Sequence, residues 1–454
     1  NTAELLSDLS RASGVELTLS AEDRNSYLSS HVLVARDEEL GILENALNQL
    51  SEHSASLFIG APAGVGKSRL IEEFKIKAQL ADIPFCQGIC VEQGMASYAP
   101  LVQALNQVIP LSSKADLESF GPILAHLLPQ LEAHDIYPQE DFDPRQQKIT
   151  LFETVVDWLK SIARSRPFIV FVDDLHWSDM ASVELFNYCV RELNGHAVMM
   201  LGSFRDDELL ANNPLWQTPE EDLSQLIKLS PFTPEQMQSL IEKMLRDVHL
   251  PQDFIPYFYG ATSGNAFFIR EMLRYLMEEN MIHQRKGQWI IPDNYPEWQL
   301  PTSISDTIQQ RLKHLSQAAA EWVQKLAVVG KRIDLALMES LAQDKEHLFV
   351  HLEELVERQF LLRESDAMYF PHDRVRETLY NALESEFRKD IHQDVGEWLE
   401  ANAANVSTLA YHFKNGRDRV KAFRYLIQAG QNASVRMEST LLMNEGLLIL
   451  EKLK

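Results

Sequence analysis

Eight residues in the first part of the chain have the types and the spacing that bind phosphate. Residues 61–68 have the sequence APAGVGKS, which fits the G-x-x-x-x-G-K-S pattern with alanine in the first glycine position. Glycines at 64 and 66 allow the backbone to curl so that its N–H groups face an anion. Lys67 is then placed to reach the β- and γ-phosphates of a nucleotide, and the Ser68 hydroxyl to coordinate Mg²⁺. The residues that we assign to nucleotide binding in this phosphate loop are Ala63, Gly64, Val65, Gly66, Lys67, Ser68 and Arg69.

A second group of residues that could do chemistry follows an apolar run. Residues 168–172 have the sequence FIVFV, and two carboxylates, Asp173 and Asp174, come directly after them. Ligands of open α/β sheets bind at the carboxyl ends of the strands. We expect Asp173 to hold Mg²⁺ through its water shell, and Asp174 to orient or deprotonate an attacking water. A strand that ends in two solvated acids is a common alternative, but it explains poorly two such motifs in this order. Together the motifs predict ATP or ADP with Mg²⁺ as the ligand.

One cation is expected at the same edge of the sheet. Arg205 follows a further predicted strand, in the segment 204–208 with the sequence FRDDE. A guanidinium in this position could sense the γ-phosphate and act in catalysis beside Asp174. A solvated arginine that pairs with Asp206 or Asp207 fits the sequence equally well.

The elements that position these residues are predicted by apolar runs and helical spacing. Asp37 is expected to cap a helix with an apolar leucine stripe, and strands are expected at 57–59, 84–91, 168–173 and 197–204, with a helix at 68–80. Continuous apolar strands that alternate with helices predict a parallel sheet with helices on both faces. The predicted fold class is therefore α/β, with a nucleotide-binding domain at 31–230 after a lead-in at 1–30.

The pattern changes at residue 231. A capping box runs from Thr233 to Gln236, and 263–265 break the helical pattern that we expect to form a lid at 231–300. Several short helices with a strand pair near 360–363 and 367–370 predict a winged-helix domain at 301–385. Small residues recur in the helical stretch after 386, at Ala422, Ala429, Gly430 and Ala433. They predict the start of helical repeats at 386–454.

Composition limits the classes of partner and compartment. The chain has 42 Lys and Arg against 66 Asp and Glu, a net charge of −24, which argues against direct contact with nucleic acid or an anionic membrane. The three cysteines are expected to be buried apolar residues rather than zinc ligands. The first residues do not resemble a leader, and no apolar run has the length of a membrane span, which predicts a cytoplasmic location. The chain begins at Asn1, so we expect it to be part of a longer protein.

The motifs also resemble a known family. Residues 173–179, with the sequence DDLHWSD, and Ser182 and Leu185 after them, resemble the second nucleotide motif of signal-transduction ATPases with numerous domains (STAND NTPases). The most similar branch is the AAA-like one of large ATP-binding transcriptional regulators and of cyclase- and kinase-linked signalling proteins. Segments 33–40, 204–208, 264–268, 300–304 and 370–373 agree in order, so the resemblance covers roughly 31–385. Ala35, Ala61 and Ala266 depart from the family pattern.

The resemblance implies roles for three further residues. Arg36 would lie on the adenine side, Arg205 would act as a sensor, and His372 would contact the ADP β-phosphate. His176 and Trp177 are expected to pack rather than react. The tail after 386 would begin a tetratricopeptide-like sensor.

The function that we expect is a slowly hydrolysing switch, and the resemblance implies that ADP favours a resting form and ATP an assembling form. It would control an output domain, with transcription regulation as the expected role, and would contact a partner through the repeats. The alternatives are a mechanical remodelling ATPase of the AAA+ type and a nucleotide-binding scaffold of a cyclase or kinase protein.

Overall fold

The computed structural model describes residues 33–51, 54–92, 96–143, 147–207, 224–245, 248–285, 288–342, 345–364, 366–432 and 436–451. The chain divides into two units. A sheet unit contains residues 36–63, 67–229 and 399–454, and a helical unit contains residues 64–66 and 230–398. The predicted lead-in at 1–30 lies outside the described residues.

Five parallel strands form the sheet of the sheet unit. They are β1 (Ala55–Gly60), β2 (Phe85–Ile89), β3 (Phe168–Asp173), β4 (Val198–Phe204) and β5 (Gln225–Lys228). Their order is β2-β3-β4-β1-β5, so β4 lies between β3 and β1. The predicted α/β class with a parallel sheet is confirmed. Because the strands are parallel, the chain leaves β1, β3 and β4 at one shared edge.

Among the described residues, six α-helices accompany these strands in the sequence. They are α1 (Asp37–Gln49), α2 (Lys67–Leu80), α3 (Ala99–Asn106), α4 (Lys114–Leu124), α5 (Lys148–Ala163) and α6 (Met180–Glu192). A continuous core includes Phe58, Trp158, Phe168, Val170 and Phe186, all buried. All three cysteines are buried, as expected.

The prediction that Asp37 caps α1 is wrong. Asp37 is the first helical residue, Arg36 holds the cap position, and the cap makes no side-chain hydrogen bond. A capping side chain must precede the helix, whereas Asp37, Glu38 and Glu39 all lie in the first turn. There their carboxylates interact favourably with the positive end of the helix dipole.

The segment predicted as a lid contains helices α7 (Pro234–Met244), α8 (Phe254–Thr262) and α9 (Ala266–Glu278). The capping box is confirmed: Gln236 N lies 3.3 Å from Thr233 Oγ1, and Thr233 N lies 3.0 Å from Gln236 Oε1. The glycine break between α8 and α9 is also confirmed, since Ser263 and Gly264 have φ values of 50° and 70°.

Short strands interrupt the helical pattern expected at 231–300, and the assignment of a lid remains a prediction. A small sheet joins β6 (Val248–His249) with a hairpin of β7 (His283–Arg285) and β8 (Gln288–Ile290), in the order β6-β8-β7. These strands have two or three residues each, and Trp289 is the buried one in the hairpin. Such short strands leave no alternating pattern in the sequence.

Residues 301–385 contain helices and a three-stranded antiparallel sheet. The elements are α10 (Ile304–Leu312), α11 (Gln317–Val329), β9 (Arg332–Asp334), α12 (Leu335–Leu341), α13 (Lys345–Glu357), β10 (Leu362–Glu364), β11 (Ala367–Tyr369) and α14 (Asp373–Ala382). The predicted strand pair is present as β10 and β11, and β9 pairs with β11 as a third strand. The winged-helix assignment remains a prediction.

The rest of the described chain is helical. It consists of α15 (Ser385–Ala401), α16 (Val406–Asn415), α17 (Arg419–Asn432) and α18 (Arg436–Glu451). Ala422 and Ala429 are buried in a core with Phe413 and Leu426, as small residues at a helix contact would be. Ala433 lies outside the described residues, and the repeat assignment remains a prediction. Across the described ranges, the structure contains no helix with the length and hydrophobicity needed to cross a bilayer.

Candidate functional site

The phosphate loop joins β1 to α2. Gly64 and Gly66 have φ values of 83° and 109°, a backbone conformation that side chains with a Cβ rarely adopt. Ala61 is buried and is not among the described residues with positive φ, so a Cβ is accommodated there. The loop therefore needs glycine at 64 and 66 but not at 61.

The side chain of Lys67, the first residue of α2, meets the acidic motif. Its Nζ lies 2.8 Å from Asp174 Oδ1, and the two side chains are 10% and 9% exposed. Asp174 has φ 55° and ψ 45°, a left-handed conformation at the turn after β3. The structure thus brings together the two predicted motifs, and it does so through the second acid rather than the first.

Asp173, the last residue of β3, is held by its neighbour in β4. Its Oδ1 accepts a short hydrogen bond from Ser203 Oγ and lies 3.1 Å from Asp174 N, which is also 3.0 Å from Ser203 Oγ. Ser203 is fully buried. The sequence analysis missed Ser203. The signal that could have found it is a hydroxyl in an otherwise apolar strand, two residues before Arg205.

Arg205 leaves the end of β4 and is buried, with 4% of its surface exposed, so the solvated alternative is wrong. Its guanidinium carbon lies 4.6 Å from the centre of the Trp177 ring, and its backbone N–H donates to His176 Nδ1 over 3.3 Å. His176 Nδ1 in turn lies 3.9 Å from Asp174 Oδ1. His176 and Trp177 pack, as expected, and both contact Arg205: His176 accepts from its backbone N–H, and Trp177 lies against its guanidinium.

The last acid of the motif has a structural role. Asp179 caps α6: its carboxylate accepts from Ser182 N over 2.9 Å and from Ser182 Oγ over 2.5 Å. It also accepts from the N–H of Tyr98 over 3.3 Å. Burial raises the pKa of Asp179 above its usual value, and the hydrogen bonds oppose this shift.

The other predicted residues are either exposed or paired with nearby residues. Ser68 is exposed in the first turn of α2. Arg69 pairs with Glu72 and Glu73 of its own helix, at 3.1 and 2.9 Å, and Arg36 is buried and pairs with Glu39 at 3.1 Å. His372 belongs to the helical unit, where it caps α14 by accepting from Arg374 N over 3.2 Å.

One family model matches the part of the chain that contains the phosphate loop and the acidic motif. The family model described as AAA ATPase domain matches residues 32–201. An uncharacterized protein of Rhizobium meliloti (strain 1021) is 24% identical over 448 residues, covering 89% of this chain and 41% of the relative.

Solved structures also resemble the chain, among them a STAND protein and an ORC2 protein. A STAND protein with a tetratricopeptide repeat sensor from Pyrococcus horikoshii aligns with a TM-score of 0.53 at 16% identity, covering 93% of this chain and 58% of that one. The ORC2 protein of Aeropyrum pernix, solved in ADPNP–ADP complexes, aligns with a TM-score of 0.37 at 15% identity, covering 77% and 94%.

The chain thus spans 41% of the curated relative and 58% of the STAND structure. At these identities the likeness to the STAND structure shows the fold. Residues 32–201, which contain the phosphate loop and the acidic motif, are similar to the AAA ATPase domain family, whose members bind nucleotide.

Proposed function

We propose that this chain is an ATP-dependent switch whose phosphate loop, Asp173, Asp174 and Arg205 bind and slowly hydrolyse ATP. The observation that carries the proposal is the pairing of Lys67 with Asp174 at 2.8 Å. It supports a single site to which the segments that follow β1, β3 and β4 supply Lys67, Asp174 and Arg205. Phosphoryl transfer to water is promoted by a cation that binds the phosphates, a carboxylate that acts as a base and an arginine that stabilises negative charge.

Magnesium fits the side chains that are present. The proposed donors are the exposed Ser68 hydroxyl and the Asp173 carboxylate, and oxygen atoms are the ligands that Mg²⁺ prefers. Ser203 fixes the Asp173 carboxylate by its hydrogen bond, as a supporting residue does for a metal ligand. When bound, the ion would neutralise charge on the β- and γ-phosphates.

The chain's own groups would act as follows. Lys67 binds the β- and γ-phosphates, and Asp174 orients the attacking water and accepts its proton. The Arg205 guanidinium, held against Trp177, stabilises negative charge on the γ-phosphate. Arg36 lies on the adenine side, and His372 contacts the β-phosphate of ADP.

The switch would act on parts outside the ATPase domain. ADP favours a resting form and ATP an assembling one, and the helical tail at 386–454 contacts a partner or output domain. The fold shared with a STAND protein that has a tetratricopeptide repeat sensor supports this proposal. Control of transcription is the output that the sequence resemblance favours.

Titration calorimetry with ATP tests the assignment of the phosphate loop. The Lys67→Ala variant should lose ATP binding, because the cation for the β- and γ-phosphates is gone. Lys77→Ala is the matched control: it removes the same charge from the same helix, where Lys77 is exposed and pairs with Glu44 at 3.0 Å. ATP affinity that is equal in Lys67→Ala and the parent chain would refute the assignment.

Size-exclusion chromatography tests the switch itself. The chain with a non-hydrolysable ATP analogue should elute as a larger species than the chain with ADP. Identical profiles at nucleotide concentrations that saturate the site would leave the ATPase assignment intact but contradict nucleotide-driven assembly.

A further inference from the structure

Two adjacent phenylalanines at the start of α9 pack into different cores of the helical unit. Phe268 lies in the core of 231–300, together with Phe232 and Met272. Phe267 lies in the core of 301–385, together with Ile308 and Phe370. The first turn of α9 therefore contributes one ring to each of the two segments that the sequence separates.

Phe267 makes two contacts that Phe268 does not share in the described structure. Its ring centroid lies 3.9 Å from that of His372 with an interplanar angle of 18°, which is a stacked pair. Its backbone N–H donates to Gly64 O over 2.9 Å. One residue thus joins the glycine turn of the phosphate loop to the histidine that follows β11.

The backbone at Gly64 lies so close to α9 that there is no space for a side chain at this position. A Cβ at Gly64 would lie 2.7 Å from Asn265 Oδ1 and 2.9 Å from Phe267 Cβ. Asn265 is itself fixed, because its Oδ1 caps α9 by accepting from Phe268 N over 3.1 Å. Gly64 is therefore required by this contact as well as by its positive φ.

The tautomer of His372 follows from its cap. Nδ1 accepts a hydrogen bond from Arg374 N, so in the neutral imidazole the proton is on Nε2. An N–H at Nε2 is a donor of the kind that a phosphate oxygen accepts. The stacked Phe267 ring lies almost parallel to the imidazole and limits rotation of this donor.

We propose that Phe267 is a positioning residue that sets the preference of the site for ADP over ATP. Its N–H donates to the Gly64 carbonyl, and its ring stacks on the imidazole of His372, the residue proposed to contact the β-phosphate. The inference rests on the proposed function, since it requires that the phosphate loop binds nucleotide and that His372 contacts ADP. The inference adds Phe267 as the residue that couples Gly64 of the phosphate loop to His372.

The test is a set of dissociation constants for ADP and for a non-hydrolysable ATP analogue, measured by titration calorimetry. Phe267→Leu removes the stack but keeps the N–H and most of the apolar volume. It should weaken ADP about 3- to 10-fold, the effect of losing one aromatic stack, and weaken the analogue less than about 2-fold. Phe267→Tyr keeps an aromatic ring, so the ratio of its dissociation constants for ADP and the ATP analogue should equal that of the parent chain.

Two comparisons separate positioning from packing. In a His372→Ala background, Phe267→Leu should cause no further loss of ADP affinity, because the stack has no partner to position. Phe268→Leu is the matched control, a buried phenyl in the same turn without the histidine stack, and should leave the ratio unchanged.

Each adverse outcome has a distinct meaning. Additive losses in Phe267→Leu and His372→Ala, or an equal change of ratio in Phe268→Leu, would show that the ring only packs and would overturn the inference. If the parent chain binds neither nucleotide, the proposed function fails with it. Thermal denaturation of every variant identifies any loss of affinity that comes from unfolding.

Discussion

Lys67 Nζ lies 2.8 Å from Asp174 Oδ1, and both side chains are almost completely buried. The pair joins the cation of the phosphate loop to the acid proposed as the catalytic base. A buried ion pair is costly to break when one partner keeps its charge, because that charge is left without compensation. A triphosphate that binds Lys67 would therefore compete with Asp174 for the same ammonium group.

Asp174→Asn separates binding from hydrolysis. Neutralising the acid leaves Lys67 available to phosphate, so the affinity for ATP should be equal to or tighter than that of the parent chain. Turnover should fall by about 10²-fold or more, as for loss of a general base. The measurements are titration calorimetry and release of inorganic phosphate.

Asp179→Asn is the control for that substitution. It removes a carboxylate from the same motif, but asparagine caps helices as well as aspartate does. Binding and turnover should both be unchanged. Hydrolysis in Asp174→Asn at the rate of the parent chain would show that another residue is the base.

Trp177→Leu tests the support of Arg205. The guanidinium lies 4.6 Å from the ring centre and is buried, a setting in which such a contact is strong. Losing it should lower kcat about 10-fold and change KM little, because Arg205 is proposed to act on charge that develops during transfer. Trp177→Phe retains a ring and should recover most of the rate.

Tyr188→Leu serves as the comparison for Trp177→Leu. Arg191 lies 6.0 Å from the Tyr188 ring in α6, so this variant removes a second cation–π contact of the sheet unit that has no proposed role. Its kcat should equal that of the parent chain. A proportional loss of kcat in both variants would assign the effect of Trp177 to general packing.

A buried charge cluster links α9 and α10 in the helical unit. Arg311 Nε lies 3.2 Å from Glu278 Oε2 and its Nη1 makes a short contact with Glu271, while Arg274 Nη1 lies 2.6 Å from Glu271 Oε1. Removing one partner of such a cluster leaves buried charge uncompensated. Glu271→Gln should therefore lower the free energy of unfolding by about 3–5 kcal/mol, measured by urea denaturation.

An exposed pair provides the control for that value. Glu72 is mostly exposed and pairs with Arg69 at 3.1 Å within α2. Glu72→Gln should change the free energy of unfolding by less than about 1 kcal/mol. Equal losses in the two variants would contradict a special contribution of the buried cluster.

The same cluster has a pH signature. Burial alone would raise the pKa of Glu271, but Arg274 and Arg311 outweigh it and hold the pKa below its usual value. A carboxylate with a lowered folded pKa stabilises the protein above its unfolded pKa of about 4.3, and this contribution is lost as the pH falls further. The parent chain should thus lose more stability than Glu271→Gln between pH 5 and pH 3.

Local patterns in the sequence predicted those elements that local chemistry determines. Apolar runs predicted β1 to β4, and the runs are longest in β3 and β4, which are buried on both faces. The capping box at Thr233 was predicted because its two hydrogen bonds join residues three apart. Lys67, Asp173 and Asp174 were predicted by their order in the chain, since parallel strands bring such residues to one edge.

Elements that depend on distant partners were missed. β5 has one buried residue, Ile227, and becomes a strand by pairing with β1. The role of Ser203 depends on its neighbour across the β3–β4 pair, and the stack of Phe267 on His372 joins residues far apart in the chain. None of these partners can be identified from the spacing of residues in a single sequence.

His392 predicts a second pH dependence, with its midpoint above that of Glu271. It is fully buried in α15, and its Nε2 lies 3.0 Å from Tyr380 Oη. Burial, aided by the nearby Arg388, lowers the pKa of His392 to about 4. The imidazole therefore stays neutral in the folded protein at a pH where the unfolded chain, with a pKa of about 6.5, already binds a proton.

The sign of the effect follows from this difference in bound protons. The contribution of neutral His392 to the free energy of unfolding is fully present above about pH 6.5. It decreases as the pH falls towards 4, with a limiting slope of about 1.4 kcal/mol per pH unit. His392→Gln should lower stability at pH 7.5 but lose this slope between pH 6 and pH 4.5, measured as urea unfolding free energies. His134→Gln, a change at an exposed position, should retain the slope of the parent chain. Parallel pH profiles for the parent chain and His392→Gln would show that another group causes the dependence, because a buried neutral imidazole must take up a proton when the chain unfolds.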